Sequence, residues 1–160
     1  MKEIKIESIL NVYDTLDELP QQVVSLMHSA MEARNKSYSP YSKFSVGAAL
    51  ELENGEIISG SNQENASYPS GLCAERTAIF YAGAQYPDVK IKRMAIIAGS
   101  RLKTTDKPIP PCGACRQSIA EYEVKQNAPI EIFFMGEQGK VVQSHSLANL
   151  LPLMFDNTVL

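Results

Sequence analysis

Three cysteines, Cys73, Cys112 and Cys115, carry most of the chemical potential of this 160-residue chain. Cys112 and Cys115 form a Cys-x-x-Cys pair within Pro111-Cys112-Gly113-Ala114-Cys115, and Cys73 opens a second segment, Cys73-Ala74-Glu75-Arg76. An odd number of thiols makes a poor disulfide framework, whereas a Cys-x-x-Cys pair at a helix start places two sulfurs on one metal ion. A third thiolate from another helix start leaves the fourth tetrahedral position open for water, the pattern of a catalytic rather than a structural zinc site. Three thiolates on a zinc dication sum to one negative charge, which weakens the metal as an activator of water. The positive ends of two helices and the Arg76 guanidinium offset that excess. Glu75 stands two residues after a ligand, at the wrong distance to share its role but placed to take a proton from water at the open position. Two other readings of the thiols stay open at this level. One is three small buried hydrophobes; the other is a closed structural zinc site with His28 or His145 as fourth ligand, although neither histidine lies in a ligand-spaced motif.

The elements that must hold these residues are legible as periodicities. Val23, Val24, Met27, Ala30 and Met31 recur as one helical face, which predicts a helix over 20–35. Phe44, Val46, Ala48, Leu50 and Leu52 alternate with smaller or polar residues as in a strand. Asn54-Gly55 supplies the turn of a hairpin that returns through Ile57-Ile58. A second helix is expected over 73–84 with Ala74, Ala78 and Tyr81 on one side, followed by a buried strand at Met94–Ala98, a third helix over 113–122 and a strand at 130–135. This alternation predicts a mainly parallel sheet covered on both faces. Gly136-Glu137-Gln138-Gly139 is too short for a crossover, so the strand from Lys140 must run antiparallel to its predecessor. Ser146 is placed to cap a short final helix that ends at Leu151, before Pro152. Lys90-Ile91-Lys92-Arg93 reads as a solvated turn. Residues 1–19 are weakly patterned and read as an N-terminal extension of a single domain over 20–160.

The composition, 44% hydrophobic and 21% charged, is that of a globular protein with a real core. A net charge of -3 argues against binding nucleic acid or anionic lipid through bulk charge, so a small molecule is the expected partner. No apolar run approaches the roughly 18 to 20 residues that span a bilayer. The first residues, Met1-Lys2-Glu3-Ile4-Lys5, lack the apolar stretch of a secretion signal, and a cytoplasmic protein is expected.

Several longer segments share a resemblance. Tyr38-Ser39-Pro40-Tyr41-Ser42-Lys43-Phe44-Ser45-Val46-Gly47-Ala48-Ala49, Asn62-Gln63-Glu64-Asn65-Ala66-Ser67, Cys73-Ala74-Glu75-Arg76-Thr77-Ala78, Pro111-Cys112-Gly113-Ala114-Cys115-Arg116-Gln117 and Leu150-Leu151-Pro152 resemble the cytidine deaminases. The likeness is to the small three-cysteine type that assembles as a homotetramer, and it runs from Asn35 to Phe155. It implies a three-layer α/β/α fold with a five-stranded mixed sheet and one zinc per chain on Cys73, Cys112 and Cys115. The implied reaction is hydrolytic deamination of cytidine and 2′-deoxycytidine to the uridines in pyrimidine salvage, with Glu75 as proton carrier. By the same resemblance Phe44 packs on the pyrimidine, Asn62 and Glu64 hold the ribose 3′-hydroxyl, and the Ala74 backbone with Glu75 reads the Watson–Crick edge. Tyr68 either lines this site or packs beneath its loop. Phe155 holds the position from which an aromatic ring, in the homotetrameric type, reaches into a neighbouring subunit's site. A deaminase of another aminopyrimidine nucleoside, such as blasticidin S, shares the zinc segments, but Asn62-Gln63-Glu64-Asn65 and the Phe44 strand favour the cytidine type. Deaminases of polynucleotides usually carry His-x-Glu and join the last two strands through a helix. A zinc-stabilised interaction module without catalysis would leave Glu75 with no role.

Overall fold

Six strands, β1 (Asn11–Tyr13), β2 (Phe44–Leu52), β3 (Ile57–Ser61), β4 (Ile91–Ser100), β5 (Glu131–Met135) and β6 (Val141–Ser144), make one mixed sheet in the order β1-β6-β5-β4-β2-β3. The computed structural model describes residues 1–157 and 160. Three helices, α1 (Gln21–Asn35), α2 (Ala74–Gln85) and α3 (Gly113–Gln126), cover the two faces. Val23, Leu26, Met27 and Ala30 of α1 pack on Ala49, Ala95, Ile97, Phe133 and Met135 on one side of the sheet. Ala78, Ile79 and Ala82 of α2 and Ile119 and Ala120 of α3 pack on Ala48, Leu50, Leu52, Met94, Ile96, Ile132 and Phe134 on the other. Successive strand residues point to opposite faces, so a stretch buried on both sides is apolar throughout, and Met94–Ala98 of β4 reads as an unbroken hydrophobic run for that reason. The three-layer arrangement agrees with expectation. Among the described residues, no helix is long and apolar enough to cross a membrane.

The sheet differs from expectation in direction and in strand number. Among the six described strands only β4 and β5 pair in parallel; the other four strand pairings are antiparallel. The hairpin places β3 on one side of β2, and the crossover through α2 returns the chain on the other side. As a result β3 and β4 share a direction without touching, each antiparallel to β2. The sixth strand lies within the stretch read as an extension: Asn11–Tyr13 pairs antiparallel with β6, Tyr13 opposite Val141. Three residues are too few to show an alternation. Their pairing is reinforced by side chains, since the Tyr13 hydroxyl (2.8 Å) and Asn11 Nδ2 (3.1 Å) both donate to Gln143 Oε1. The added strand covers a sheet edge that would otherwise present unpaired backbone groups.

Smaller corrections follow from packing. Ile91–Arg93 is no turn but the first part of β4, where Lys92 and Arg93 meet Glu51 of β2 at 2.9 and 3.4 Å. Tyr81 faces outward, and the buried side of α2 runs through Ala74, Ala78, Ile79 and Ala82. The last helix is a single 3-10 turn, Leu147–Asn149, capped as expected by Ser146 Oγ, which accepts from the Ala148 N–H at 3.1 Å. Glu123 of α3 collects this corner by accepting from the N–H groups of Ile130 and Leu147, both at 2.8 Å, and from the Ser146 hydroxyl at 2.6 Å. Gly60 fixes the height of α2 above the sheet: a Cβ there would stand 2.6 Å from Ala74 O and from Ala78 N. Only glycine admits so close an approach, and that approach seats the N-terminus of α2 on β3.

Candidate active site

Because β3 and β4 run in one direction, the helices that follow them, α2 and α3, begin at the same end of the sheet. Cys73 is the N-cap of α2 and Cys112 the N-cap of α3, with Cys115 in the first turn of α3. Their carbonyls accept the first helical bonds, from Thr77 N–H at 3.0 Å and Arg116 N–H at 2.9 Å, and neither sulfur caps its helix. All three Sγ atoms lie within 4.8 Å of one another, with Cys112 and Cys115 at 3.5 Å. Zinc–sulfur bonds of about 2.3 Å in a tetrahedron require sulfurs about 3.8 Å apart, so the cluster suits one zinc ion. Neither histidine belongs to the metal-capable group found among the described residues. His28 is on α1, which packs on the opposite face of the sheet, and His145 Nε2 contacts Asn11 Nδ2 at 3.0 Å.

Charge at the cluster is arranged around Cys73. The hydrogen bond with Cys115 and the Arg76 guanidinium, whose Nη2 is 3.8 Å from Cys73 Sγ, bring the Cys73 thiol down to about 5. The same sulfur–sulfur contact, with burial, pushes Cys115 up, so negative charge gathers first on Cys73. Glu75 is only 4% exposed and stands outside the three-sulfur set. Burial raises its carboxyl above the ordinary range, and the neighbouring Cys73 charge adds to that. A carboxyl so placed holds a proton more readily than one in water, as a proton carrier must.

Cys73, Cys112 and Glu75 open onto a cleft of about 690 Å³. Val46, Ile96, Ala98, Ile109 and Pro110 give it apolar lining, and Phe44 belongs to that lining rather than to either buried core cluster. Tyr41 and Tyr68 stand at the cleft with ring centroids 6.1 Å apart and planes tilted by 54°. Tyr68 is 76% exposed, so of its two expected positions it takes the cleft and not the underside of the loop. Asn62 extends the pairing of β2 through its side chain: Oδ1 accepts from Val46 N–H at 2.8 Å and Nδ2 donates to Phe44 O at 3.0 Å, leaving one amide hydrogen for another acceptor. Glu64 accepts from the N–H groups of Tyr41 (2.9 Å) and Ser42 (3.3 Å) and from the Ser42 hydroxyl. That hydroxyl above all keeps its carboxyl below the usual range.

Two expected residues stand apart from this lining. Ala74 is fully buried at the first turn of α2 and does not line the cleft. Phe155 is 62% exposed and lies outside the cleft of its own chain. Its backbone is nonetheless tied to α3, since Gln117 Nε2 donates to Phe155 O at 2.8 Å, and the neighbouring Arg116 joins Leu150 O (2.7 Å) to Pro111 O (2.9 Å). The apolar lining from Ile96, Ala98 and Ile109 was not singled out from the sequence. Its one local signal is position, at the end of a buried strand and in the proline-rich approach to Cys112.

Comparison with known proteins adds an independent line. Residues 20–128 match the family model described as the cytidine and deoxycytidylate deaminase zinc-binding region. The chain is similar to the cytidine deaminase of Halalkalibacterium halodurans, 41% identical over 130 residues that make up 81% of this chain and 91% of that protein. It is similar also to the cytidine deaminase of Sporosarcina psychrophila, 40% identical over 83% of this chain and 90% of the other. Among solved structures, the crystal structure of cytidine deaminase from Burkholderia pseudomallei superposes with a TM-score of 0.71 at 37% identity, covering 86% of this chain and all (100%) of that one.

Proposed function

Since the chain belongs to the family of the cytidine and deoxycytidylate deaminase zinc-binding region, we propose that it hydrolyses cytidine and 2′-deoxycytidine to uridine and 2′-deoxyuridine with release of ammonia. The observation that carries this reading is Glu75, buried beside a three-thiol cluster, outside the ligand set, and facing the same cleft. A zinc ion held by Cys73, Cys112 and Cys115 supplies Lewis-acid activation of water when bound. Glu75 accepts the proton of the attacking water and delivers it to N3 of the pyrimidine as the water oxygen bonds to C4. It then carries the second proton to the amino group as the C4–N bond breaks and ammonia leaves. The Phe44 ring lies against the base, and Glu75, which unlike the buried Ala74 lines the cleft, reads its edge. The remaining Asn62 amide hydrogen and the Glu64 carboxylate hold the ribose 3′-hydroxyl, and Tyr68 borders the sugar side. Arg76 balances the negative charge of the thiolates.

The catalytic unit in this reading is the domain over 20–160, whose sheet residues 11–13 complete at one edge. Three reduced thiols acting as metal ligands fit a reducing, cytoplasmic setting. The assembly is a homotetramer in which Phe155 of one subunit closes a neighbour's cleft against water. The exposure of this ring on a backbone tied to α3 supports that arrangement. Phe155→Ala is expected to raise KM for cytidine about tenfold, the scale of one lost aromatic stacking contact, with zinc content unchanged. A wild-type chain that sediments as a fully active monomer would contradict it.

The ribose assignment is tested by charge. A phosphate on the 3′-oxygen would face the Glu64 carboxylate, and like charges repel across a partly desolvated site. Ammonia release from cytidine 3′-monophosphate should be at least about tenfold slower than from cytidine at equal concentration, allowing for solvent screening of a partly exposed group. Equal rates would remove Glu64 from the ribose subsite, and no release from either compound would remove the deaminase reading.

A further inference from the structure

The three hydrogen bonds that hold Glu64 come from two consecutive residues, Tyr41 and Ser42, and one atom among them has a second task. Ser42 Oγ donates to Glu64 Oε1 and at the same time accepts from the Phe44 N–H at 3.0 Å. One hydroxyl therefore links the carboxylate assigned to the sugar with the backbone of the ring assigned to the base. The intervening residue, Lys43, has φ of +57°, in the left-handed region that side chains other than glycine seldom adopt. That conformation is fixed from both sides, by Lys43 N–H donating to Ser39 O (3.2 Å) and Arg101 N–H donating to Lys43 O (2.7 Å). The left-handed residue turns the chain so that the Phe44 N–H points back at Ser42 Oγ. A residue in this region persists where its surroundings over-determine it, as these two hydrogen bonds do.

We infer that Ser42 is a positioning residue: its hydroxyl fixes the Glu64 carboxylate at the nucleoside 3′-hydroxyl. The inference rests on the ribose reading of Glu64 above and goes beyond it by naming the group that aims the carboxylate. Without Oγ, Glu64 keeps only the two backbone donors on Oε2, and Oε1 is free to rotate away from the sugar. Ser42 donates its single hydroxyl proton to Glu64 Oε1, and the remaining lone pairs of the ionised carboxylate are acceptors, as recognition of a sugar hydroxyl requires.

The test compares cytidine with 3′-deoxycytidine, which lacks the hydroxyl in question, on wild-type protein, Ser42→Ala and Ser42→Thr, all zinc-loaded. Wild type should prefer cytidine. Ser42→Ala should lower kcat/KM for cytidine about tenfold, chiefly through KM, at the scale of one charge-assisted hydrogen bond, and change 3′-deoxycytidine by less than about threefold. Ser42→Thr, which keeps the hydroxyl, should restore the preference to within about threefold of wild type. A merely structural role would lower both substrates alike through Phe44, and that result overturns the inference. Wild type that discriminates while Ser42→Ala retains the same ratio overturns it too, leaving the Glu64 reading intact. Wild type that turns over both nucleosides equally overturns the Glu64 reading and this inference with it.

Discussion

Glu75→Gln is expected to bind one zinc per chain, fold as wild type does, and lose between about 100-fold and 10,000-fold in kcat, the range for removal of a general acid–base group. The position of the side chain dictates each part. Glu75 lies outside the group of three sulfurs, so the metal keeps its ligands. The substitution is close to isosteric and replaces a carboxyl that is 4% exposed with a neutral amide, which relieves a desolvation cost and leaves Tm equal or higher. The amide cannot accept the proton of water or return it to N3 and the leaving amine. Because one carboxyl serves both transfers, the loss should fall toward the upper end of the range. Zinc analysis, thermal melting and turnover measured on one preparation check all three; near-normal turnover with full zinc would require another proton carrier.

Cys112→Ala should lose both zinc and activity. Two sulfurs remain within reach of the ion, but the third, 3.5 Å from Cys115, is gone. Loss of a direct ligand should weaken zinc binding by more than the roughly 10- to 100-fold that follows removal of an outer-shell partner alone. The fold should survive this, unlike that of a zinc finger, because the clusters on the two sheet faces are built from apolar side chains and do not include the metal site's thiol at 112. Metal analysis should therefore find the variant empty while far-UV circular dichroism matches wild type, with Tm lowered. Full zinc retention would overturn the ligand assignment, and complete unfolding would show that the core depends on the metal.

How much of this was readable in the chain follows from the length scale of each feature. α1, the β2–β3 hairpin and the final antiparallel pair announce themselves through local periodicity or a short loop, and the structure has them where expected. Strand direction did not, because the side of β2 on which the chain returns after α2 is a long-range choice that no local pattern records. The three residues of β1 owe their strand to Gln143, 132 residues away from Asn11 in sequence. In the site, the thiols and Glu75 were legible because metal chemistry restricts both residue type and spacing. The apolar lining from Ile96, Ala98 and Ile109 was not, since cleft-lining and core-filling aliphatic residues look alike in sequence. Ser42 and Lys43 fall between these cases. Both sit inside a recognisable segment, yet the hydroxyl's double task and the left-handed backbone emerge only in three dimensions.

Product analysis tests most directly whether the cleft at the three thiols performs hydrolysis. Protein carrying one zinc per chain, incubated with cytidine or 2′-deoxycytidine, should release ammonia and the corresponding uridine in equal amounts over many turnovers. Zinc-replete protein that releases ammonia from neither nucleoside, nor from any other aminopyrimidine nucleoside, would contradict the account and leave the metal a purely structural part.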